Sequence, residues 1–267
     1  NPALRLSPIK RFFYWCMDRI EVMRFFRDQA IIVFYDHNTE KTKKYIGKSS
    51  YLVRFGIDTD LFWYRERPRT LTKKARIFLV GILFPYRRFE DAFVAMRILV
   101  DDGYDLDLVH IGSWRVHPEY HQKLLDVVRE LHLEERVRFL GPLPEEDLLR
   151  YYHECDIAVF PHVFQPGLGV VFESMACGMP TIVSRGSGDK EILKDKVHTL
   201  FVDPLSPLQI AEAIKSLIDD SDLYRALSRQ GREFVEKNMS WKKFSGGIFD
   251  VCEKEFARVR GKAIEQS

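Results

Sequence analysis

The stretch Asp156-Ile157-Ala158-Val159-Phe160-Pro161-His162-Val163-Phe164-Gln165-Pro166-Gly167-Leu168-Gly169-Val170-Val171-Phe172-Glu173-Ser174-Met175-Ala176-Cys177-Gly178-Met179-Pro180 decides how the rest of the chain is read. Ile157 to Phe160 is an uninterrupted apolar run, as in a buried strand. Pro161 stops it, and Pro166-Gly167 marks a turn. Val170 to Ala176 then reads as a helix, closed by Gly178 as its C′ residue with Pro180 just beyond. Thr181 to Ser184 is the next strand. The unit is therefore strand, glycine-bearing loop, helix, strand. A helix placed this way aims free N–H groups and its positive dipole end at whatever sits above the strand ends, which suits a phosphate. Glu173 lies about one turn inside the helix. That is poorly placed to neutralise a phosphate and well placed to accept hydroxyls, such as those of a ribose. A βαβ crossover whose glycines serve packing alone is the other reading. A dinucleotide fingerprint does not fit. Gly167-Leu168-Gly169 is followed by Phe172 where a third glycine is needed, and the acidic residue comes too early for an NAD ribose.

Outward from this stretch the pattern repeats. Arg76 to Val80, Leu106 to Ile111, Val137 to Leu140 and Leu200 to Val202 read as strands. Helices are expected from about Asp91 to Val100, Glu119 to Leu131, Glu145 to His153, Pro207 to Asp219, Ser221 to Lys237, and from Trp241 to about Arg260. Strands this apolar, alternating with helices, predict an α/β fold with a doubly wound, parallel, Rossmann-like sheet covered on both faces. The ligand crevice of such a sheet lies at the carboxyl ends of its strands. The loops at Gly81, at Gly141 to Leu143, at Gln165 to Gly169 and at Gly186 all fall on that rim. Four loops on one rim argue better than any one motif.

Composition excludes more than it selects. The 267 residues suffice for one large or two small domains, and 46% apolar residues with a net charge of +2 are ordinary for a soluble globular protein. No stretch of these residues reads as a signal peptide, and no apolar run among them is long enough to span a bilayer. Cys16, Cys155, Cys177 and Cys252 are scattered, as reduced thiols in a cytosolic protein are, and form no metal-binding spacing. The histidines share no spacing either. His110, His117, His121, His132, His153 and His198 read as surface or satisfied core residues, while His162 stands out for lying beside the loop described above.

Ile9 to Arg27 forms an amphipathic helical pattern with Lys10, Arg11, Arg24 and Arg27 on its polar face. A helix packed on a sheet and a basic helix lying on an anionic membrane both fit it. Packing is the better match, because Asp18, Glu21 and Asp28 dilute the charge. Ala30 to Phe34 and Ser50 to Val53 read as strands, with a short helix between them capped by Asn38 or Thr39. Arg65, Arg67, Arg69, Lys73 and Lys74 read as a solvated basic connector. Without interleaved aromatics they do not point to nucleic acid.

These residues also carry a resemblance. The opening stretch resembles the donor-site signature of retaining GT-B glycosyltransferases of family four: a Glu, seven residues, a second Glu, then Ala-Met-Ala-x-Gly-x-Pro-Val-Val. Glu173 to Ile182 matches the second half closely. Gln165 stands where the first Glu falls, and Gly167-Leu168-Gly169 where Phe-Gly-Leu is usual. In the family a Gly-Arg-Leu, then Lys-Gly, follows the first strand of this domain, and the Arg and Lys hold the donor diphosphate. Here Ile82 takes the Arg position, Arg87 the Lys position and Arg88 the glycine. Gly186-Ser187-Gly188-Asp189-Lys190-Glu191 resembles the family's Gly-Gly-x-x-Glu loop. Gly56 to Phe62 resembles its Gly-Val-Asp-x-x-x-Phe linker, and Ser240-Trp241 the pair that begins its crossing helix. The likeness runs from about residue 28 to 256.

The resemblance implies a GT-B type fold. Residues 1–60 would be the remnant of an N-terminal Rossmann domain whose front is missing, either by truncation or because it is another polypeptide. Residues 61–75 would link it to a nucleotide-sugar-binding domain, 76–239, and residues 240–267 would be the crossing helix. The implied reaction moves a sugar from a nucleoside-diphosphate sugar to an acceptor, with retention and without cofactor or metal. A glycan or a lipid-linked sugar fits as acceptor. Gln165 and Arg87 would act in catalysis. Gly81, Arg87, Arg88, Gly141, Leu143, His162, Gln165, Leu168, Gly169 and Glu173 would bind the donor. A non-catalytic nucleotide-sugar-binding or partner-docking domain is the alternative, and an epimerase or phosphorylase on the same fold a third.

Overall fold

The computed structural model describes residues 30–34, 40, 42–44, 50–67, 71–164 and 169–265. The amphipathic reading of residues 9–27 and the cap at Asn38 or Thr39 lie outside them. The chain divides into two compact units, residues 1–55 with 244–267, and residues 56–243.

In the smaller unit β1 (Ile32–Val33) pairs in parallel with β2 (Tyr51–Leu52). In the larger unit, strands and helices alternate as β3 (Lys74–Val80), α1 (Phe89–Asp101), β4 (Asp105–Ile111), α2 (Pro118–Glu130), β5 (Val137–Gly141), α3 (Glu145–Glu154), β6 (Ile157–Phe160), α4 (Gly169–Ala176), β7 (Thr181–Ser184), β8 (Leu200–Val202), α5 (Pro207–Asp219) and α6 (Ser221–Asn238). The chain ends in α7 (Trp241–Glu265). Within the smaller unit, Phe244 of α7 sits 6.2 Å from Phe34 and 6.1 Å from Phe55 between ring centres, and the Tyr51 hydroxyl donates to Glu255 Oε1 at 2.8 Å.

All pairings in the larger sheet are parallel, in the order β5-β4-β3-β6-β7-β8. Parallel strands need crossovers that cover both faces, so the strands must be apolar throughout. They are: Ile157 to Phe160 and Thr181 to Ser184 are buried at every position. One face packs against α1, α2 and α5 through Phe93, Leu99, Leu124 and Ile214. The other packs against α3, α4 and α6 through Tyr152, Phe172, Met175 and Val235. Each such apolar side chain, fully buried, stabilises the fold by about 1.5–3 kcal/mol.

Local signals act where the sequence places them. Asp220 caps α6, its carboxylate accepting from the N–H groups of Asp222 and Leu223. Gly178 ends α4 at φ +73°, with Met179 N–H donating back to Ser174 O at 2.9 Å. A side chain there would meet the Tyr64 ring at 2.6 Å.

The connector reading of Arg65 to Lys74 fails at Arg67. That residue is 5% exposed. Its Nε donates to Gly178 O, Nη1 to His153 O and Cys155 O, and Nη2 to Tyr152 O and Cys177 O, at 2.7–3.1 Å. All five guanidinium donors are thus matched to main-chain carbonyls at the amino ends of β6 and β7. Composition shows a charge; only the fold shows the carbonyls converging on it.

Candidate functional site

The strand order reverses its sense of progression between β3 and β6. In a doubly wound sheet this switch opens a crevice beyond the carboxyl ends of the two strands. Two loops meet there. After β3, Gly81 turns the chain at φ +125° and donates its N–H to Ile111 O at 2.8 Å. A 3-10 turn, Pro85–Arg87, follows and runs into α1. After β6, Val163 N–H donates to Tyr86 O at 2.9 Å, tying the second loop to the first. The Gly186 loop packs onto the second, so closely that a Cβ at Gly186 would lie 2.2 Å from Val163 O.

Arg87 lies across Gly81. Its Nη1 donates a long bond to Val80 O at 3.4 Å, and a Cβ on Gly81 would fall 2.1 Å from that nitrogen. Its Nε is buried without a hydrogen-bond partner. Among the described residues it has no ion-pair partner, and burial lowers its proton affinity. Beside it stand two fully buried histidines. His110 on β4 has Nε2 3.0 Å from Gly81 O and leaves Nδ1 unpartnered. His162 leaves both ring nitrogens unpartnered. Burial first holds both neutral, with the charge of Arg87 next for His162 and those of His121 and then Arg87 for His110: His110 falls to about 4 and His162 to about 3. A half-paired cation between neutral imidazoles is a place where an anion gains more than it would in water.

Arg88 takes no part in this. Its left-handed backbone, φ 54°, turns the side chain onto the first turn of α1. There its Nη2 and Nε bind Asp91 at 2.7 and 3.2 Å, and its Nη1 binds Glu90 at 3.0 Å. Glu90 also accepts from Tyr120 at 2.5 Å and Lys123 at 3.0 Å. Burial pushes the Glu90 carboxyl up, and these bonds outweigh it and hold it below the ordinary range. Burial raises that of Asp91. The expectation is that Arg88 offers its charge to a phosphate; here both of its sides face carboxylates, Glu90 and Asp91.

Across the crevice, α4 starts at Gly169 and carries Glu173 one turn later. Oε2 of Glu173 accepts from the Tyr152 hydroxyl at 2.5 Å. Oε1 lies 3.8 Å from where a Gly169 Cβ would stand, with no other described residue within 4 Å, so among the described residues the space over Gly169 opens onto that oxygen. Burial raises the Glu173 carboxyl above the usual range, partly offset by the Tyr152 bond. Gly141, at φ +72°, ends β5 on the same rim, and Leu143 after it is half-buried against the apolar cluster that includes α4.

The structure thus brings Gly81, Arg87 and His162 to one loop cluster and Gly169 and Glu173 to α4. Gln165 and Leu168 lie outside the described residues. His162 reaches the site, but its ring is covered. His110 and Tyr152 were missed. His110 looks like any strand histidine, and Tyr152, inside Leu-Arg-Tyr-Tyr-His-Glu, looks like any helix-face aromatic. Among the described residues no group of His, Cys, Asp and Glu is placed to hold a metal ion, and no helix is long and apolar enough to cross a membrane.

Comparison with known proteins bears on the larger unit. A family profile described as glycosyl transferases group 1 matches residues 64–234. D-inositol 3-phosphate glycosyltransferase of Saccharomonospora viridis is 30% identical over 55% of this chain and 34% of its own length. An uncharacterized glycosyltransferase of Methanocaldococcus jannaschii is 30% identical over 78% of this chain and 52% of its own. The chain therefore spans about a third to a half of the length of these relatives. Among solved structures, Anabaena HepE in complex with UDP and glucose superposes with a TM-score of 0.74, at 16% identity, over 84% of this chain and 63% of that one. At that identity the likeness speaks for the fold, which is of the expected GT-B type.

Proposed function

Since the chain belongs to the group 1 glycosyl transferases, we propose that it binds a nucleoside-diphosphate sugar along the carboxyl edge of its sheet and passes the sugar to an acceptor. The observation that carries this is Arg87: a half-buried guanidinium whose buried Nε is unpartnered, without an ion-pair partner among the described residues and beside two neutral histidines near the switch point. A diphosphate supplies the missing charge. The same proposal extends to the finer assignment, a retaining enzyme of the family-four kind.

In this reading Arg87 and the N–H groups at the start of α4 hold the diphosphate, each charge-assisted bond being worth about 1.5–3 kcal/mol. Glu173 accepts the ribose hydroxyls, and the loop from Gly141 to Leu143 lines the base. Gln165 meets a hydroxyl of the donor sugar; as a neutral amide it donates and accepts but brings no negative charge to the forming cation. The bond from the anomeric carbon to the phosphate oxygen breaks, its electron pair leaving on the diphosphate. The acceptor oxygen bonds that carbon and gives up its proton. Holding the departing charge is the protein's main contribution, and one cation does it where the family pattern has two. That loss, together with the commitment of Arg88 to α1, is the observation favouring a non-catalytic nucleotide-sugar-binding domain.

The test is calorimetry with UDP, the nucleotide held by HepE, alongside the other nucleoside diphosphates. Glu173→Ala should weaken binding of the preferred nucleotide tenfold or more; unchanged affinity would reject its role. Release of sugar from the matching nucleotide sugar separates the enzyme from the binding domain.

A further inference from the structure

The hydroxyl of Tyr152 has no packing task. The side chain comes from the last turn of α3 and is wholly buried. Phe62 meets its ring edge-on at 5.5 Å and Phe78 at 4.9 Å between ring centres. Its main-chain oxygen is gripped by Arg67 Nη2 at 2.7 Å. Ring and backbone are therefore fixed from three directions, and a phenylalanine would fill the same space. What the tyrosine adds is one oxygen, in an apolar cluster, whose hydrogen-bond partner is Oε2 of Glu173 at 2.5 Å. A buried hydroxyl is costly unless paired, so its presence needs that carboxylate as much as the carboxylate needs it.

We propose that Tyr152 is a positioning residue: its hydroxyl clamps Oε2 of Glu173, so that Oε1 and the remaining lone pair of Oε2 face the space over Gly169 and read the ribose hydroxyls of the donor. This rests on the nucleotide-donor reading above and adds to it a residue that never touches the ligand. Two physical effects work through the clamp. It removes the rotational freedom of the carboxylate before the ligand arrives, so less ordering is left to binding. It also favours the ionised form against burial and against the like charge of Glu145 at the start of α3; Cys177, on the segment leaving α4, is the other titratable group coupled to Glu173.

The experiment compares UDP with 2′,3′-dideoxy-UDP on the wild-type chain, Tyr152→Phe and Glu173→Gln. Tyr152→Phe keeps both ring contacts and should keep its melting temperature within a few degrees. Its affinity for UDP should fall about tenfold at neutral pH, and its pH profile should move so that binding is lost at a higher pH on acidification. Against the dideoxy nucleotide the wild-type chain and Tyr152→Phe should bind alike, because the clamp then has nothing to orient. A penalty of equal size with both nucleotides would show a general structural role and overturn the proposal. So would an unchanged UDP affinity in Tyr152→Phe while Glu173→Gln loses binding; there the donor reading survives and the clamp does not. If the wild-type chain binds no nucleoside diphosphate, both fall together. Should Tyr152→Phe fail to fold, a crystal of the wild-type chain with UDP decides: the phenol must stay on Glu173 while Glu173 meets the ribose, and a phenol turned away ends the idea.

Discussion

Two arginines, one buried and one half-buried, stand at opposite edges of the same sheet. At the amino edge, Arg67 places all five donors on main-chain carbonyls. At the carboxyl edge, Arg87 makes a long bond to Val80 O, meets the Tyr86 phenol and leaves Nε unpartnered. Two histidines repeat the contrast. His153, at the amino edge, has its ring nitrogens 2.8 Å from Leu149 O and 3.0 Å from Trp63 O. His162, at the carboxyl edge, has neither nitrogen paired. A cavity of about 800 Å³ opens at the amino edge, but the Arg67 and His153 that line it already face carbonyls. Space alone therefore does not mark the site. An unmatched cation does: Arg76 Nε is also buried without a partner at the amino-edge cavity, but that guanidinium is paired with Glu154, whereas Arg87 has no carboxylate among the described residues and stands beside two histidines with unmatched nitrogens.

The largest expected effect breaks the amino edge. Arg67→Met removes a donor from each of five carbonyls. His153 O keeps Arg65 Nη1, Gly178 O the Ser228 hydroxyl and Cys177 O the Arg65 N–H, whereas Tyr152 O and Cys155 O lose the only side-chain donor they have. Stability should therefore fall by roughly 3 kcal/mol, and the melting temperature by on the order of 10 °C. Nucleotide affinity of the molecules still folded should not change. Thermal denaturation followed by circular dichroism, beside UDP calorimetry at low temperature, reads both. A variant that melts normally would mean that water replaces those donors, and the contrast between the edges would lose one side.

Arg87→Met is the mirror case. Removing a half-buried charge that lacks a counter-ion among the described residues should leave the melting temperature unchanged or higher. Affinity for the nucleoside diphosphate should fall about 10- to 100-fold. If Arg87→Met instead melts as early as Arg67→Met, Arg87 is a second structural staple and the anion reading is wrong.

How much of this was legible follows the same division. Strands and helices could be read because a doubly covered parallel strand must be apolar throughout, as Ile157 to Phe160 is, and because Gly178 and Pro180 end a helix for local reasons. Arg87 could be read from its place after a strand and before a helix. Arg67, Arg88, His110 and Tyr152 could not. Each owes its role to partners distant in sequence, or, for Arg88, to a left-handed backbone that no local residue pattern announces. Arg88 resembled its neighbour in type and in position, and one φ angle separates a cation facing the crevice from one facing α1.

Acid sharpens the comparison with a smaller effect. Free histidine titrates near 6.5, whereas His110 is held down to about 4 and His162 to about 3. Between those values the unfolded chain binds more protons than the folded one, so the contribution is fully present above pH 6.5 and is lost as pH falls toward 3–4. The slope is about 1.4 kcal/mol per pH unit for each histidine. Denaturant titrations from pH 7 to 4.5 should show it, and His162→Asn should reduce it. A bound diphosphate should oppose the loss, because it stabilises a protonated imidazole beside it; an equal acid slope with and without UDP would put His162 out of reach of the ligand.

The smallest effect tests the seat of Arg87. Gly81→Ala sets a methyl 2.1 Å from Nη1 at a residue whose φ is +125°. The backbone penalty, on the order of 1–2 kcal/mol, belongs to the turn and appears as a lower melting temperature. The clash is with the far end of a flexible side chain, so Arg87 can swing aside, and UDP affinity should drop only a few-fold. The two penalties separate in the Arg87→Met background. There the methyl has no guanidinium to displace, so Gly81→Ala should still cost stability but no further affinity. If it weakened binding equally in both backgrounds, the Gly81 turn would itself touch the ligand, and the carboxyl edge would hold its anion by main chain as well as by charge.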